Sequence, residues 1–270
     1  MNCYLCKNKK LQKIISIHKK PSVEVDYGIS IEDYHREIHQ CQNCGTYNNF
    51  HDLIKDDFYE GFYNKSISKE KFKHRFKKII NLPESISDNK KRVKRVIRFL
   101  QKNILTENKY NVLDIGSGTC VFLYEMKKYN IIANCIDPDP IAIRHAKEIV
   151  KVNNSHCGSI FNFYSNNKFD LISFNKVLEH VKNPIDQINE SLKYLNNHGV
   201  LYIELPEGDR IYNDNLISER SEFAVEHFTV HNIHSIKMIA KICNLKIRDL
   251  NVVTDPSGKY TIYAFLNKVL

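Results

Sequence analysis

The chain of 270 residues contains no tryptophan, no low-complexity tract and no internal repeat. No apolar run approaches the roughly 18 residues that a membrane span needs, so a spanning helix is excluded. The opening residues, Met-Asn-Cys-Tyr-Leu-Cys, lack the basic-then-apolar pattern of a secretory leader. A cytoplasmic protein is therefore expected. Core material is not scarce: 42% apolar and 11% aromatic residues argue against wholesale disorder. The length suits one large domain, or a medium domain with a small companion.

Charge is spread unevenly. Residues 1–110 hold 23 Lys+Arg against 13 Asp+Glu, and the remainder is nearly balanced. The excess lies in 65–102, with 14 basic and 3 acidic residues. Such a stretch suits a phosphate backbone, an anionic small molecule, or simply a solvated helix face. Asp88-Asn89 can cap a helix in which Val93, Val96, Ile97, Leu100 and Ile104 recur at helical spacing.

The order of patterns divides the chain into 1–60, 61–108 and 109–270. The first part bears Cys and His with short β-like runs. The second is basic and helical, broken at Leu82-Pro83. In the third, strand-like runs at 111–115, 131–136, 169–174, 200–205, 246–253 and 260–266 alternate with amphipathic segments. Alternation of this kind predicts an α/β fold, a mainly parallel sheet with helices on both faces. Only a short turn, Asp255-Pro256-Ser257-Gly258, separates the last two strands, which makes that pair antiparallel.

Two Cys-x-x-Cys pairs, Cys3 with Cys6 and Cys41 with Cys44, supply four thiolates on two tight turns. Four sulfurs complete a tetrahedral shell that suits a structural zinc ion and leave no open position for catalysis. Disulfides conflict with a cytosolic setting, and a redox pair lacks a thioredoxin-like context. Cys120, Cys135, Cys157 and Cys243 stand alone in apolar surroundings and are expected in the core.

Asp114-Ile115-Gly116-Ser117-Gly118 ends a strand and enters a helix through a glycine turn. A dinucleotide fingerprint would place a third glycine three residues after Gly118, where this chain has Val121. A carboxylate at Asp114 is unhelpful beside a pyrophosphate but suits a cation, such as the amino group of a methionine moiety. Asp137 closes the next strand, where a carboxylate can accept both ribose hydroxyls. The alternative for Asp137 is a helix cap before Pro138. Together these positions favour S-adenosylmethionine (SAM) over a nicotinamide dinucleotide.

With these motifs in place, the chain resembles class I SAM-dependent methyltransferases with an N-terminal zinc-binding region. The four cysteines with Gly45 and Phe58-Tyr59-Glu60-Gly61-Phe62-Tyr63 carry part of the likeness. Val112–Thr119 of the glycine turn, Phe169-Asp170-Leu171-Ile172, Val177-Leu178-Glu179-His180-Val181 and Glu226-His227 carry the rest. The resemblance implies a Rossmann-like seven-stranded sheet with an antiparallel last strand. It implies that Asp114, Gly116, Ser117 and Gly118 surround the methionine end of the cofactor. Asp137 then binds ribose with Pro138 alongside, Ser159 and Ile160 border adenine, and Asn175 faces cofactor and substrate. Cys120 stands where the family often has a further glycine, which implies a slightly displaced loop. The first and last motifs point to bacterial sugar and nucleotide-sugar methyltransferases of glycan pathways, such as capsule synthesis. Members with a C-methyl activity carry a further C-terminal domain, so O-methyl transfer is expected.

Methyl transfer needs an aligned nucleophile and a group to take its proton. Histidine is the commonest base for that task. Glu226-His227 falls in a loop after the strand ending near 205, at the ligand-binding edge of an open sheet. His227 is the leading candidate base, His180 the competitor, and Glu226 the neighbouring acid. The expected substrate is a small anionic sugar-phosphate or nucleotide-linked compound, with Arg210 and Arg220 assisting. An RNA methyltransferase with a zinc module is the alternative. The basic stretch offers few exposed aromatics for stacking, and no Asn-Pro-Pro-Tyr motif is present. A non-catalytic zinc-ribbon protein that keeps a cofactor fold is a third reading, opposed by intact Asp114, Gly116, Gly118 and Asp137.

Overall fold

The computed structural model describes residues 1–25, 28–30, 32, 34–53, 69–104 and 109–269. The Phe58–Tyr63 run of the resemblance (58–63) and the start of the basic stretch at 65–68 lie outside them. The principal sheet has seven strands: β4 (Tyr110–Ile115), β5 (Ile131–Asp137), β6 (Asn154–Cys157), β7 (Phe169–Asn175), β8 (Leu195–Pro206), β10 (Leu245–Thr254) and β11 (Tyr260–Lys268). Their spatial order is β10-β11-β8-β7-β4-β5-β6. β11 runs antiparallel to both β10 and β8, and the remaining neighbours pair in parallel. The expected seven-stranded α/β sheet with its antiparallel strand is what the chain forms.

Period-two alternation explains why this sheet is buried on both faces. On β8, Val200 and Tyr202 face one apolar cluster while Leu201, Ile203 and Leu205 face the other. The first cluster is closed by α1 (Lys69–Ile80), α2 (Asp88–Asn103), α3 (Val121–Met126) and α4 (Pro140–His145) through Phe76, Val96, Phe122 and Ile143. The second is closed by α5 (Pro184–Leu192) and α7 (Ile233–Ile242) through Ile188, Ile236 and Ile239. A short helix α6 (Asp209–Asn213) follows β8.

The expected face of α2 is buried at Val93, Val96, Ile97 and Leu100. Its cap differs by one residue: Ser87, not Asp88 or Asn89, is the N-cap, and its side chain accepts from the Lys90 N–H. Asp88 instead accepts from the Ser257 N–H and hydroxyl, which fastens the helix start to the β10–β11 turn. Truncating Leu100 to Ala in this packed face is expected to cost about 2–5 kcal/mol.

A second sheet forms at the N-terminus from β1 (Leu11–Ile17), β2 (Arg36–Cys41) and β3 (Tyr47–Phe50), in the order β1-β2-β3-β9. Its fourth strand, β9 (Thr229–Val230), comes from the segment between β8 and α7. The small sheet therefore borrows a strand from the loop that carries Glu226 and His227. Cys120, Cys135 and Cys243 are buried as expected, but Cys157 is exposed. It is the last residue of β6, the edge strand of the sheet.

Candidate active site

β4 and β7 lie side by side, and the order of the chain reverses between them. In an open α/β sheet such a reversal opens a crevice at the carboxyl ends of the strands. Asp114 sits there and is buried. One of its oxygens, Oδ1, accepts from Ser173 Oγ at 2.7 Å and from Asn175 Nδ2 at 2.7 Å. Burial lifts its carboxyl to about 7 against the pull of those two donors. A bound cation would restore the ionised form. The Asn175 amide oxygen and the Ser117 hydroxyl are buried without a hydrogen-bond partner among the described residues. Buried polar atoms left in this state ask for a ligand or a water. The ammonium of SAM fits Asn175, and the chemistry of the donor set fits its methionine end.

The turn itself is held by its backbone. Gly116 has φ +71° and Gly118 φ +50°, which only glycine adopts without strain. A Cβ at Gly116 would approach Val177 Cγ2 to 2.6 Å, whereas nothing lies within 4 Å of one at Gly118. Cys120 takes φ +59°, the left-handed conformation that a glycine would supply. Asp137 Oδ2 accepts the Gly118 N–H at 2.7 Å, and Oδ1 accepts the Asp139 N–H at 2.8 Å. Burial raises the Asp137 carboxyl to about 6. Each oxygen keeps a second lone pair for a hydroxyl. The cap of α4 is Asp139, whose side chain accepts the Ile141 N–H, so that task does not fall to Asp137. Pro138 follows directly. Ser159 and the buried Ile160 follow β6. Asn175, Asp114, Asp137 and Ser159 therefore stand in a row along the ends of β7, β4, β5 and β6.

The corner around His180 and His227 is assembled from distant segments. The Glu179 carbonyl accepts the Phe228 N–H at 2.7 Å, and the Phe228 carbonyl accepts the Asn49 N–H at 2.9 Å. This chain of bonds clamps the 226–228 segment between β3 and the turn after β7. Asn49 Nδ2 also donates to the carbonyls of His227 (3.0 Å) and Ala224 (3.3 Å). Arg36, 1% exposed, donates to the Phe223 carbonyl at 2.7 Å and to Glu24 at 2.6 Å. His180 and His227 meet with ring centroids 4.6 Å apart and planes at 72°.

Their tautomers follow from their partners. His180 Nδ1 lies 3.0 Å from the Glu226 carbonyl, and His227 Nδ1 2.8 Å from the Glu222 carbonyl. A carbonyl only accepts, so each Nδ1 carries hydrogen and each neutral ring has its lone pair at Nε2. Burial pushes the imidazole of His227 down to about 4 and that of His180 to about 3. Glu226 reaches His180 through its main chain, so it does not orient either ring as an acid partner would.

Glu179, which the motif reading left without a role, is fully buried beside the pair. Only its place in Leu178-Glu179-His180 marked it. Arg92 and Arg95 belong to the basic stretch at 65–102, for which a solvated helix face is one expectation. Both turn inward to Glu204, at 2.5 and 3.1 Å, and hold its carboxyl well below the usual range despite burial. Other residues of the basic helix line a groove of about 680 Å³ beside β10 and β11, including Lys91, Lys94, Arg98 and Lys102. That groove shares no lining residue with either end of the site. Arg210 and Arg220 stack over Tyr260, and Arg220 is paired with Glu222 at 2.7 Å.

The four N-terminal cysteines come together. Their sulfurs lie within 4.8 Å of one another, with Cys3–Cys44 and Cys6–Cys41 at 3.6 Å. Sulfurs of a tetrahedral zinc shell with bonds of about 2.3 Å stand nearly that far apart. Among the described residues no helix is long and apolar enough to cross a membrane.

A family model described as a methyltransferase domain matches residues 73–250, more than half of the chain. No curated protein matches its sequence. Similar solved structures include the plantazolicin methyltransferase BpumL with SAH, at 16% identity and TM-score 0.57, covering 79% of this chain and 93% of that one. Magnesium protoporphyrin IX methyltransferase ChlM from Synechocystis PCC 6803 with bound SAH is 12% identical at TM-score 0.58, covering 79% and 97%. The N-methyltransferase NodS from Bradyrhizobium japonicum WM9 with SAH is 15% identical at TM-score 0.51, covering 74% and 99%. With the sheet order and the Asp114 and Asp137 crevice, the family match establishes that the chain belongs to the methyltransferase-domain family and is a class I SAM-dependent methyltransferase.

Proposed function

We propose that the protein transfers the methyl group of SAM to a hydroxyl of a small anionic compound, a sugar-phosphate or nucleotide-linked sugar of a bacterial glycan pathway. The observation that carries this reading is the contact of His227 with His180 in the turn after β7, the strand that pairs with the one bearing Asp114. Asp114, Gly116, Ser117, Gly118 and Asn175 surround the methionine end of SAM. Asp137 and Pro138 take the ribose, and Ser159 and Ile160 border the adenine. The cofactor supplies the electrophilic methyl group. The chain aligns the acceptor and takes its proton at His227 Nε2, with His180 beside it. A neutral, half-buried imidazole is ready for that proton at neutral pH. Lys176 and Lys259 add positive charge near His227, which favours an anionic acceptor.

Cys3, Cys6, Cys41 and Cys44 hold a structural zinc ion. The role of that ion is to stiffen the sheet that presents residues 223–230. Unpaired thiols suit a reducing compartment such as the cytoplasm. In this reading the chain is organised as a zinc region at 1–60, a basic helical cover at 61–108 and the methyltransferase unit at 109–270. An RNA acceptor is favoured by one observation, the cationic groove along α2 with Phe99 and Tyr263 in its wall.

The test follows labelled methyl from SAM into a mixture of bacterial small-molecule extract and unmodified RNA. Label in the small anionic fraction is expected. Label in RNA alone would overturn the sugar reading. No SAH-induced thermal shift would overturn the cofactor assignment itself.

A further inference from the structure

We propose that the cationic groove between α2 and the β10–β11 pair binds a phosphodiester-linked glycan chain, and so holds the body of a long acceptor whose end is methylated. The second half of that statement rests on the sugar-phosphate reading of the acceptor. The groove encloses about 680 Å³. Six basic side chains line it, Lys91, Lys94, Arg95, Arg98, Lys102 and Arg248, against two acidic ones, Glu84 and Asp249. On α2 the basic positions recur at intervals of three and four, which sets them in one stripe. The opposite face of the helix buries Val93, Val96, Ile97 and Leu100. From Lys91 to Lys102 the stripe runs about 16 Å, at about 1.5 Å per residue.

Part of this charge is already paired. Lys94 meets Glu84 at 2.5 Å, and Arg95 meets Glu204 at 3.1 Å. Lys91, Arg98, Lys102 and Arg248 are exposed and enter no ion pair among the described residues. A row of such cations suits a chain that carries its negative charges at intervals, rather than one compact anion. The aromatic residues of the groove favour a glycan over single-stranded RNA. Phe99 stacks on Phe265 with centroids 3.9 Å apart and planes at 3°. Tyr263 is 8% exposed and lies under the Arg95 guanidinium, 3.9 Å from the ring centroid. Bases stack on open rings, and both of these rings have a face taken. A chain of sugars needs no such platform, because its phosphates meet the cations directly.

The groove leads to the strand ends of the large sheet. Arg92, the neighbour of Lys91, turns inward to Glu204 at 2.5 Å. Glu204 is in register with Asn175 on β7 and with Tyr263 on β11. One end of the groove therefore stands level with Asn175. The other lies toward the amino end of β4, where the Tyr110 hydroxyl donates to the Ile104 carbonyl at 3.2 Å. A chain whose end reaches the strand ends can trail down α2 toward Lys102.

The experiment uses the full chain and a dye-labelled oligomer of phosphodiester-linked glucose, followed by fluorescence anisotropy. An oligouridylate with the same number of phosphates is the comparison. The glucose-phosphate oligomer is expected to bind, and to bind more weakly as salt rises. Lys91→Gln, Arg98→Gln and Lys102→Gln combined should weaken it at least about tenfold and flatten the salt dependence. SAH affinity should stay unchanged, because none of the three belongs to the cofactor end. No binding, equal binding by the variant, or tighter binding of the oligouridylate would each overturn the inference, and the last would make the groove an RNA track. Methyl transfer to a free sugar-phosphate with no chain bound would defeat the groove and leave the acceptor reading standing. A chain held in the groove, with labelled methyl absent from every sugar, would keep the groove and defeat the acceptor reading.

Discussion

Asp114 and His227 are held in place by different means. Asp114 stands on β4, is fixed by Ser173 and Asn175 on β7, and lies two residues before Gly116. Every position proposed for the cofactor lies within three residues of the carboxyl end of a strand. His227 has no such support. It depends on Asn49 from the small sheet, on Phe228 bonding to Glu179, and on the Glu222 carbonyl. The proposed cofactor end therefore draws on the large sheet. The proposed acceptor end joins both sheets, and the cysteine turns stand beside its support. Gly45, in the second cysteine turn, accepts at its carbonyl from Asn232 at 3.1 Å, and Tyr47 donates to Asp209 at 2.8 Å.

Substitutions at the two ends should separate cleanly. His227→Ala is expected to lower turnover by about 10²–10⁴-fold and leave SAH affinity unchanged. Full activity in that variant would remove the base and put the acceptor end elsewhere. Asp137→Ala should weaken SAH about 10–100-fold, the worth of charge-assisted hydrogen bonds to a ribose. Unchanged affinity, measured by calorimetry, would cancel the ribose assignment. Asn49→Ala touches neither ligand. It strands the Ala224 and His227 carbonyls, so turnover should fall about tenfold through misplacement of the base, with SAH binding intact. If SAH binding fell equally, the two ends would not be separable.

The pH profile gives the smallest effect. Burial sets the His227 pKa at about 4 rather than the ordinary 6.5. A base works above its pKa, so the rate should stay level from about pH 8 to about pH 5 and fall only below that. A half-loss near 6.5 would show an exposed, ordinary histidine.

The same division explains what the sequence made legible. Strand ends and glycine turns are local, so the sheet-edge positions of Asp114, Gly116, Gly118 and Asp137 are legible from spacing, as is the gathering of the four cysteines. Contacts between distant segments leave no such trace. Asn49 has no motif, and its tie to His227 crosses 178 residues. β9 is two residues long, too short for any periodicity. Ser87 and Asp88-Asn89 compete for the cap on residue type alone, because Ser, Asp and Asn all cap helices well. Arg92 and Arg95 looked solvated because their partner Glu204 lies on a strand 109–112 residues away.

Amide hydrogen exchange on Cys44→Ser, compared with the zinc-loaded protein, tests the central claim without knowing the acceptor. Faster exchange at 223–231, with 114–120 unchanged and still protected by SAH, is the result this account predicts. Equal loss of protection in both segments, or in neither, would contradict the claim that the cysteine sheet builds only the acceptor end.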